Sequence, residues 1–211
     1  VSQRVHPHGG LVIANICADG SGKSTIINDL QLTFKKKIDV YNLYMGRGKS
    51  GSSSWPRQIL HRVKKSYSKQ HQQESKQVVK DVTAPKENRT FRFNLYKCME
   101  ALAVARERSR KIKLMKSAKA KGMLVICDRF PQNQLMGYND GPALSYLLDS
   151  PNFLFRWLAK KEARTYKTTE ENPPDILFKL IASAEIIAAR KPSKASPEML
   201  ELKIQGIKRL K

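Results

Sequence analysis

The run Gly20-Ser21-Gly22-Lys23-Ser24-Thr25 directly follows the apolar stretch Leu11-Val12-Ile13-Ala14-Asn15-Ile16 and precedes an apolar-periodic stretch from Ile26 to Phe34. This order of strand, glycine loop and helix constrains the fold more than any other feature of the chain. Glycines let backbone N–H groups curl around a phosphate, the helix N-terminus adds a favourable dipole, a lysine reaches the outer phosphates and a serine hydroxyl ligates Mg²⁺. Asp19, Gly20, Ser21, Gly22, Lys23, Ser24 and Thr25 therefore form a candidate cradle for ATP with Mg²⁺. The usual pattern has a glycine five positions before Gly22, where this chain has Cys17. A cysteine is tolerated there if its backbone keeps a negative φ.

Three more stretches read as strands: Val40 to Met45, the unbroken apolar run Gly122 to Cys127, and Asp175 to Ile181 after the Pro173-Pro174 stop. The second of these lacks alternation, as a strand covered on both faces should. Helical stretches between strands imply crossover connections, a mostly parallel sheet and a three-layer α/β/α domain of the P-loop NTPase kind, with ligands outside the carboxyl ends of the strands. Such domains usually close with one more strand, and none is visible after Arg190; the last strand reads as missing, either because the chain is a piece or because the domain is shortened. The 211 residues fit a single domain, 1–211, with a basic polar insert at about 49–92 and a lid at about 190–198.

Several charged residues fall where anions would bind. Asp128-Arg129 ends the buried strand, so the carboxylate is placed to hold Mg²⁺ and the guanidinium to grip phosphate. Arg106 and Arg110 lie one turn apart on a long helix whose apolar positions run through Leu95, Met99, Leu102, Ala105 and Ile112. Arg47 follows the second strand, and Arg190 opens the lid with Lys191 and Lys194. Forty basic against 18 acidic residues give a net charge of +22, which asks for anionic partners: nucleotides, nucleic acid or an anionic surface. No run long and apolar enough to span a membrane and no secretory segment is visible, so a cytoplasmic location is expected. The three cysteines and four histidines lack metal-ligand spacing.

Taken together, Ala18 to Thr25, Ala105-Arg106, Asp128-Arg129-Phe130-Pro131 and Pro174-Asp175 leading to Glu185 and Arg190 resemble the thymidylate kinase branch of the nucleoside monophosphate kinases, over residues 11 to about 195. The resemblance implies that Lys23, Ser24 and Thr25 bind the donor nucleotide, Asp128 assists Mg²⁺, Arg129 and Arg106 hold the acceptor phosphate, and Arg190 belongs to the lid. Catalytic roles then fall to Lys23, Asp128, Arg129 and Arg106, metal ligation to Ser24 and Asp128, and acceptor binding to Arg47, Arg106, Arg110 and Arg129. Two departures stand out. The family's Arg-Glu-Pro turn is replaced by Gly46-Arg47-Gly48, and its base-facing Ala-Tyr-Gln segment is unmatched where this chain has Gly137-Tyr138-Asn139-Asp140-Gly141-Pro142. The expected activity is ATP-dependent phosphoryl transfer to a small anionic acceptor, a nucleoside monophosphate. The alternatives are a nucleoside or sugar hydroxyl kinase, in which Asp128 would take a proton, a nucleic-acid-stimulated NTPase, and a nucleotide-binding module without turnover. A homodimer is compatible with each.

Overall fold

The computed structural model describes residues 4–18, 20–46, 91–136, 140–190 and 197–210. Strand β1 (Leu11–Cys17) runs through the glycine loop into helix α1 (Lys23–Phe34), and β2 (Val40–Tyr44) follows. Then come α2 (Phe91–Ala120), β3 (Leu124–Asp128), a short 3₁₀ turn at Ser145–Leu147, α3 (Phe153–Glu170), β4 (Ile176–Leu180), α4 (Ala184–Arg190) and α5 (Pro197–Arg209). The strands form one sheet in the order β2-β3-β1-β4, and every neighbouring pair is parallel. This is the α/β fold expected from the sequence. Among the described residues no fifth strand joins it.

The two faces of the sheet are covered by different helices. Val12, Ala14 and Ile16 of β1, Leu43 of β2, and Val125 and Cys127 of β3 pack against Ile112, Met115 and Ala118 of α2 and Leu200, Ile204 and Ile207 of α5. Ile13, Leu124 and Ile126 point the other way, toward Ile27 and Leu30 of α1. Period-two alternation thus gives the two inner strands two apolar faces, and β3, one of them, is buried at Leu124 through Cys127. β4 differs. Its residues Ile176 to Lys179 are exposed at the sheet edge, although Asp175 anchors its start by accepting the Val12 N–H at 2.7 Å.

Helix α2 keeps the expected period, with Ala105 and Ile112 of the expected stripe buried, but the buried face turns away from Leu95 and Met99 toward the helix's small residues. Cys98, Ala101, Val104, Ala105, Arg108, Lys111, Ile112, Met115 and Ala118 are buried, whereas Leu95 and Met99 are exposed. Small residues decide this: Cys98 and Ala101 let α3 approach, and Phe155 and Ala159 of α3 fill the contact together with Leu144 and Leu147. Arg108 and Lys111 turn inward because each is neutralised there. Lys111 pairs with Glu107 at 2.6 Å, and Arg108 pairs with Asp140 at 3.0 Å. Helix α3 begins at Asn152, whose side chain accepts the N–H groups of Leu154 and Phe155. Its buried Glu162 fastens the preceding loop by accepting from Ala143 N–H at 3.0 Å and Leu144 N–H at 2.8 Å. Among the described residues no helix is long and apolar enough to cross a membrane.

Candidate functional site

The site grows from the carboxyl ends of β1 and β3, which are adjacent in the sheet. At the end of β1 the loop turns through Gly20 and Gly22, both with φ of 92°, a left-handed conformation that a side chain would strain. Ser21 closes the turn, its hydroxyl donating to the Ala18 carbonyl at 2.9 Å. Gly22 caps α1 without any side-chain hydrogen bond, and no acidic residue sits in the first turn. The helix therefore presents its N-terminal N–H groups and the positive end of its dipole, together with Lys23, Ser24 and Thr25, to an incoming anion. Cys17 is not among the residues with positive φ, which is why the sequence tolerates it in place of a glycine. Burial pushes its thiol above the ordinary 9.0, against the opposing Ser21 hydrogen bond and Lys23 charge.

At the end of β3, Asp128 faces this loop. Burial raises its carboxyl above the ordinary 3.8, opposed by the charges of Lys23 and Arg129 and by a hydrogen bond from Asn15, while Asp140 adds a further raising contribution. Its Oδ1 is buried without a hydrogen-bond partner among the described residues. A buried anionic oxygen in that state is costly and suits a cation as its missing partner. Among the described residues no three His, Cys, Asp or Glu side chains gather as a metal cage. Mg²⁺ needs none, since it takes one or two protein oxygens and fills its octahedron with water and substrate phosphates. The Asp128 carboxylate and Ser24 hydroxyl fit that donor set.

Arg129 follows in a left-handed conformation with φ 61°. Asn15 holds it there: its Oδ1 accepts the Arg129 N–H at 3.2 Å and its backbone carbonyl accepts the Phe130 N–H at 2.9 Å. The Arg129 side chain then crosses Gly46 just past β2. A Cβ on Gly46 would stand 2.4 Å from Arg129 Cδ and 2.6 Å from the Tyr44 hydroxyl, so only glycine leaves room. The guanidinium meets Asp140 at 3.7 Å. Asp140 in turn is gripped by Arg108, which also donates to the Asp140 carbonyl at 3.1 Å, the Met45 carbonyl at 3.3 Å and the Tyr166 hydroxyl. From the far side, Arg190 Nη1 lies 3.5 Å from where a Gly22 Cβ would be, so the last residue of α4 reaches the glycine loop.

Of the residues expected at the site, Gly20, Ser21, Gly22, Lys23, Asp128, Arg129 and Arg190 come together, with Ser24 and Thr25 exposed at the mouth. Arg106 and Arg110 lie on the exposed side of α2, and the arginine this helix turns inward is Arg108. Asp19, Arg47, Lys191 and Lys194 lie outside the described residues, as do most of the insert and of the lid. Three residues were missed by sequence reasoning. Asn15 carried a signal, a single amide inside an apolar strand; Arg108 and Asp140 carried none, being ordinary charges in a charged helix and a glycine-rich loop.

A parallel sheet with a glycine loop after β1, an uncapped helix behind it and a carboxylate at the end of the neighbouring strand define an α/β domain compatible with the P-loop NTPases. The chain is similar to two proteins of Escherichia coli strain K12. One is the uncharacterized ATP-binding protein YghS, 26% identical over 183 residues that cover 86% of this chain and 73% of that protein. The other is the uncharacterized ATP-binding protein YghR, 23% identical over 189 residues covering 86% and 69%. No protein-family model matches the chain.

Proposed function

We propose that the protein binds ATP with Mg²⁺ on the glycine loop and transfers the terminal phosphoryl group to a small phosphorylated acceptor, a nucleoside monophosphate, in the manner of the thymidylate kinase branch it resembles. ATP binding is supported by the names of its relatives YghS and YghR. The observation that carries the transfer reading is the pairing at the end of β3: a buried carboxylate oxygen without a hydrogen-bond partner among the described residues, followed at once by an arginine fixed in a left-handed turn beside the loop.

A phosphate-monoester acceptor needs no general base, because its oxygen is already anionic near neutral pH. Catalysis then reduces to alignment and charge neutralisation. The acceptor oxygen bonds to the terminal phosphorus as the bond to the bridging oxygen breaks, leaving ADP. Lys23 draws the outer donor phosphates onto the loop, Arg190 closes on them from α4, and Arg129 holds the acceptor phosphate. Mg²⁺, when bound, neutralises phosphate charge, and Ser24 and Asp128 are the groups that would hold it, directly or through water. Arg106 and Arg110, on the exposed side of α2, would add positive charge for the acceptor phosphate. The test is ADP release from ATP and Mg²⁺ across a panel of nucleoside monophosphates, nucleosides and single-stranded nucleic acids, beside Lys23→Ala. Stimulation by one monophosphate, lost in that variant, is expected; stimulation by nucleic acid alone would replace the transferase with an NTPase.

A further inference from the structure

Helix α3 has a face that the phosphate site does not use. Phe155, Ala159, Glu162, Tyr166 and Thr169 are buried. On the opposite side, Phe153, Trp157, Lys160, Lys161, Arg164 and Lys167 fall within roughly 120° of arc at 100° per residue. Phe153 is 71% and Trp157 48% exposed, and Leu154 beside them is 43% exposed. The first turn of α2 adds to the same end of the molecule: the Phe91 ring lies 5.0 Å from Phe155 and is itself 55% exposed. The outward face of α3 therefore has an apolar, aromatic tip and a basic body, with no acidic residue between Phe153 and Lys167 except the buried Glu162.

We propose that this face docks the protein on an anionic phospholipid surface. Contiguous exposed apolar side chains mark an interaction site, and aromatic rings next to lysines suit the boundary between acyl chains and headgroups, where rings insert and ammonium groups stay among phosphates. Charge decides against a second copy of the chain as the occupant, since two basic faces of a +22 protein would repel. Ring geometry favours the lipid boundary over nucleic acid. Lys161 Nζ sits 5.0 Å over the Trp157 ring, on a face a base would need for stacking, and Leu154 offers a base nothing to stack on.

The test is co-sedimentation of the full chain with phosphatidylserine-containing vesicles and with pure phosphatidylcholine vesicles, alongside the fluorescence of Trp157 in a Trp55→Phe background. Binding to the anionic vesicles alone, with a blue shift of Trp157, is expected. Reversing Lys160, Lys161 and Arg164 to Glu lowers partitioning at least about a hundredfold, from the per-residue attraction of a basic side chain to an anionic leaflet. The same reversal at the exposed Lys35, Lys36 and Lys37 after α1 is the control and has a far smaller effect. Circular dichroism and nucleotide affinity verify that each variant is folded. Equal losses in the two triple variants would reduce the effect to net charge and overturn the proposal. So would binding to single-stranded DNA but not vesicles, or a dimer in solution that Phe153→Ser/Trp157→Ser dissolves without any vesicle binding.

Discussion

Arg108 is 1% exposed and spends its guanidinium on Asp140, Met45 and Tyr166. Arg108→Met keeps much of the side-chain volume and removes the charge. It leaves the Asp140 carboxylate, 13% exposed, with Arg129 at 3.7 Å as its remaining ion-pair partner among the described residues. Removing one member of a buried pair costs about 3–5 kcal/mol, and the remaining arginine places this case near the lower end, at about 3 kcal/mol. For a chain of this length that is a fall in Tm of roughly 6–12 °C. Asp140 has φ 62°, a conformation asparagine also tolerates, so Asp140→Asn removes the stranded charge without backbone strain. The double variant Arg108→Met/Asp140→Asn should therefore recover part of the loss, with a coupling of about 1–2 kcal/mol in a double-mutant cycle. Urea denaturation of the four proteins measures it. A loss below about 1 kcal/mol for Arg108→Met, or strict additivity, would refute the buried pair as the tie between α2, α3 and the loop beside Arg129.

Asp128→Asn should raise stability at neutral pH while abolishing Mg²⁺-dependent tightening of nucleotide binding. Burial holds the Asp128 carboxyl above 3.8, so the folded chain binds more protons than the unfolded one as pH rises from that value, and stability falls through that window. The asparagine variant lacks that slope, which paired pH–urea titrations detect. Gly46→Ala drives a Cβ against Arg129 Cδ and should cut kcat/KM for the acceptor at least about tenfold with little change in ATP affinity, an effect on acceptor alignment. Asn15→Ala releases the Arg129 backbone and should give a similar loss, read in the same assay, together with a stability cost of about 1–3 kcal/mol from unsatisfied partners.

The strands were legible because each one repeats a simple pattern: β3 lies within one or two residues of its apolar run, and β1 ends where the glycine loop begins. The loop itself was legible because phosphate chemistry fixes residue types at fixed spacing. Helix α2 was readable as a helix but not in its orientation. Leu95 and Met99 look like core residues, yet the contact with α3 selects Cys98 and Ala101 for their small size, and only the neighbouring element explains that choice. For the same reason Arg106, Arg108 and Arg110, spaced by two residues, cannot be ranked from the sequence: the buried stripe that takes Arg108 is set by the neighbouring elements. Asp140 became significant only when folding brought it between Arg108 and Arg129, 32 and 11 positions away in the chain.

Transfer of a phosphoryl group to an acceptor is tested most directly by following the terminal phosphate of labelled ATP in the presence of Mg²⁺ and each nucleoside monophosphate in turn. Label is expected in a nucleoside diphosphate for at least one acceptor, absent in Lys23→Ala and sharply reduced in Arg129→Ala. Label that remains in ATP with every acceptor, or appears only as inorganic phosphate, would contradict it.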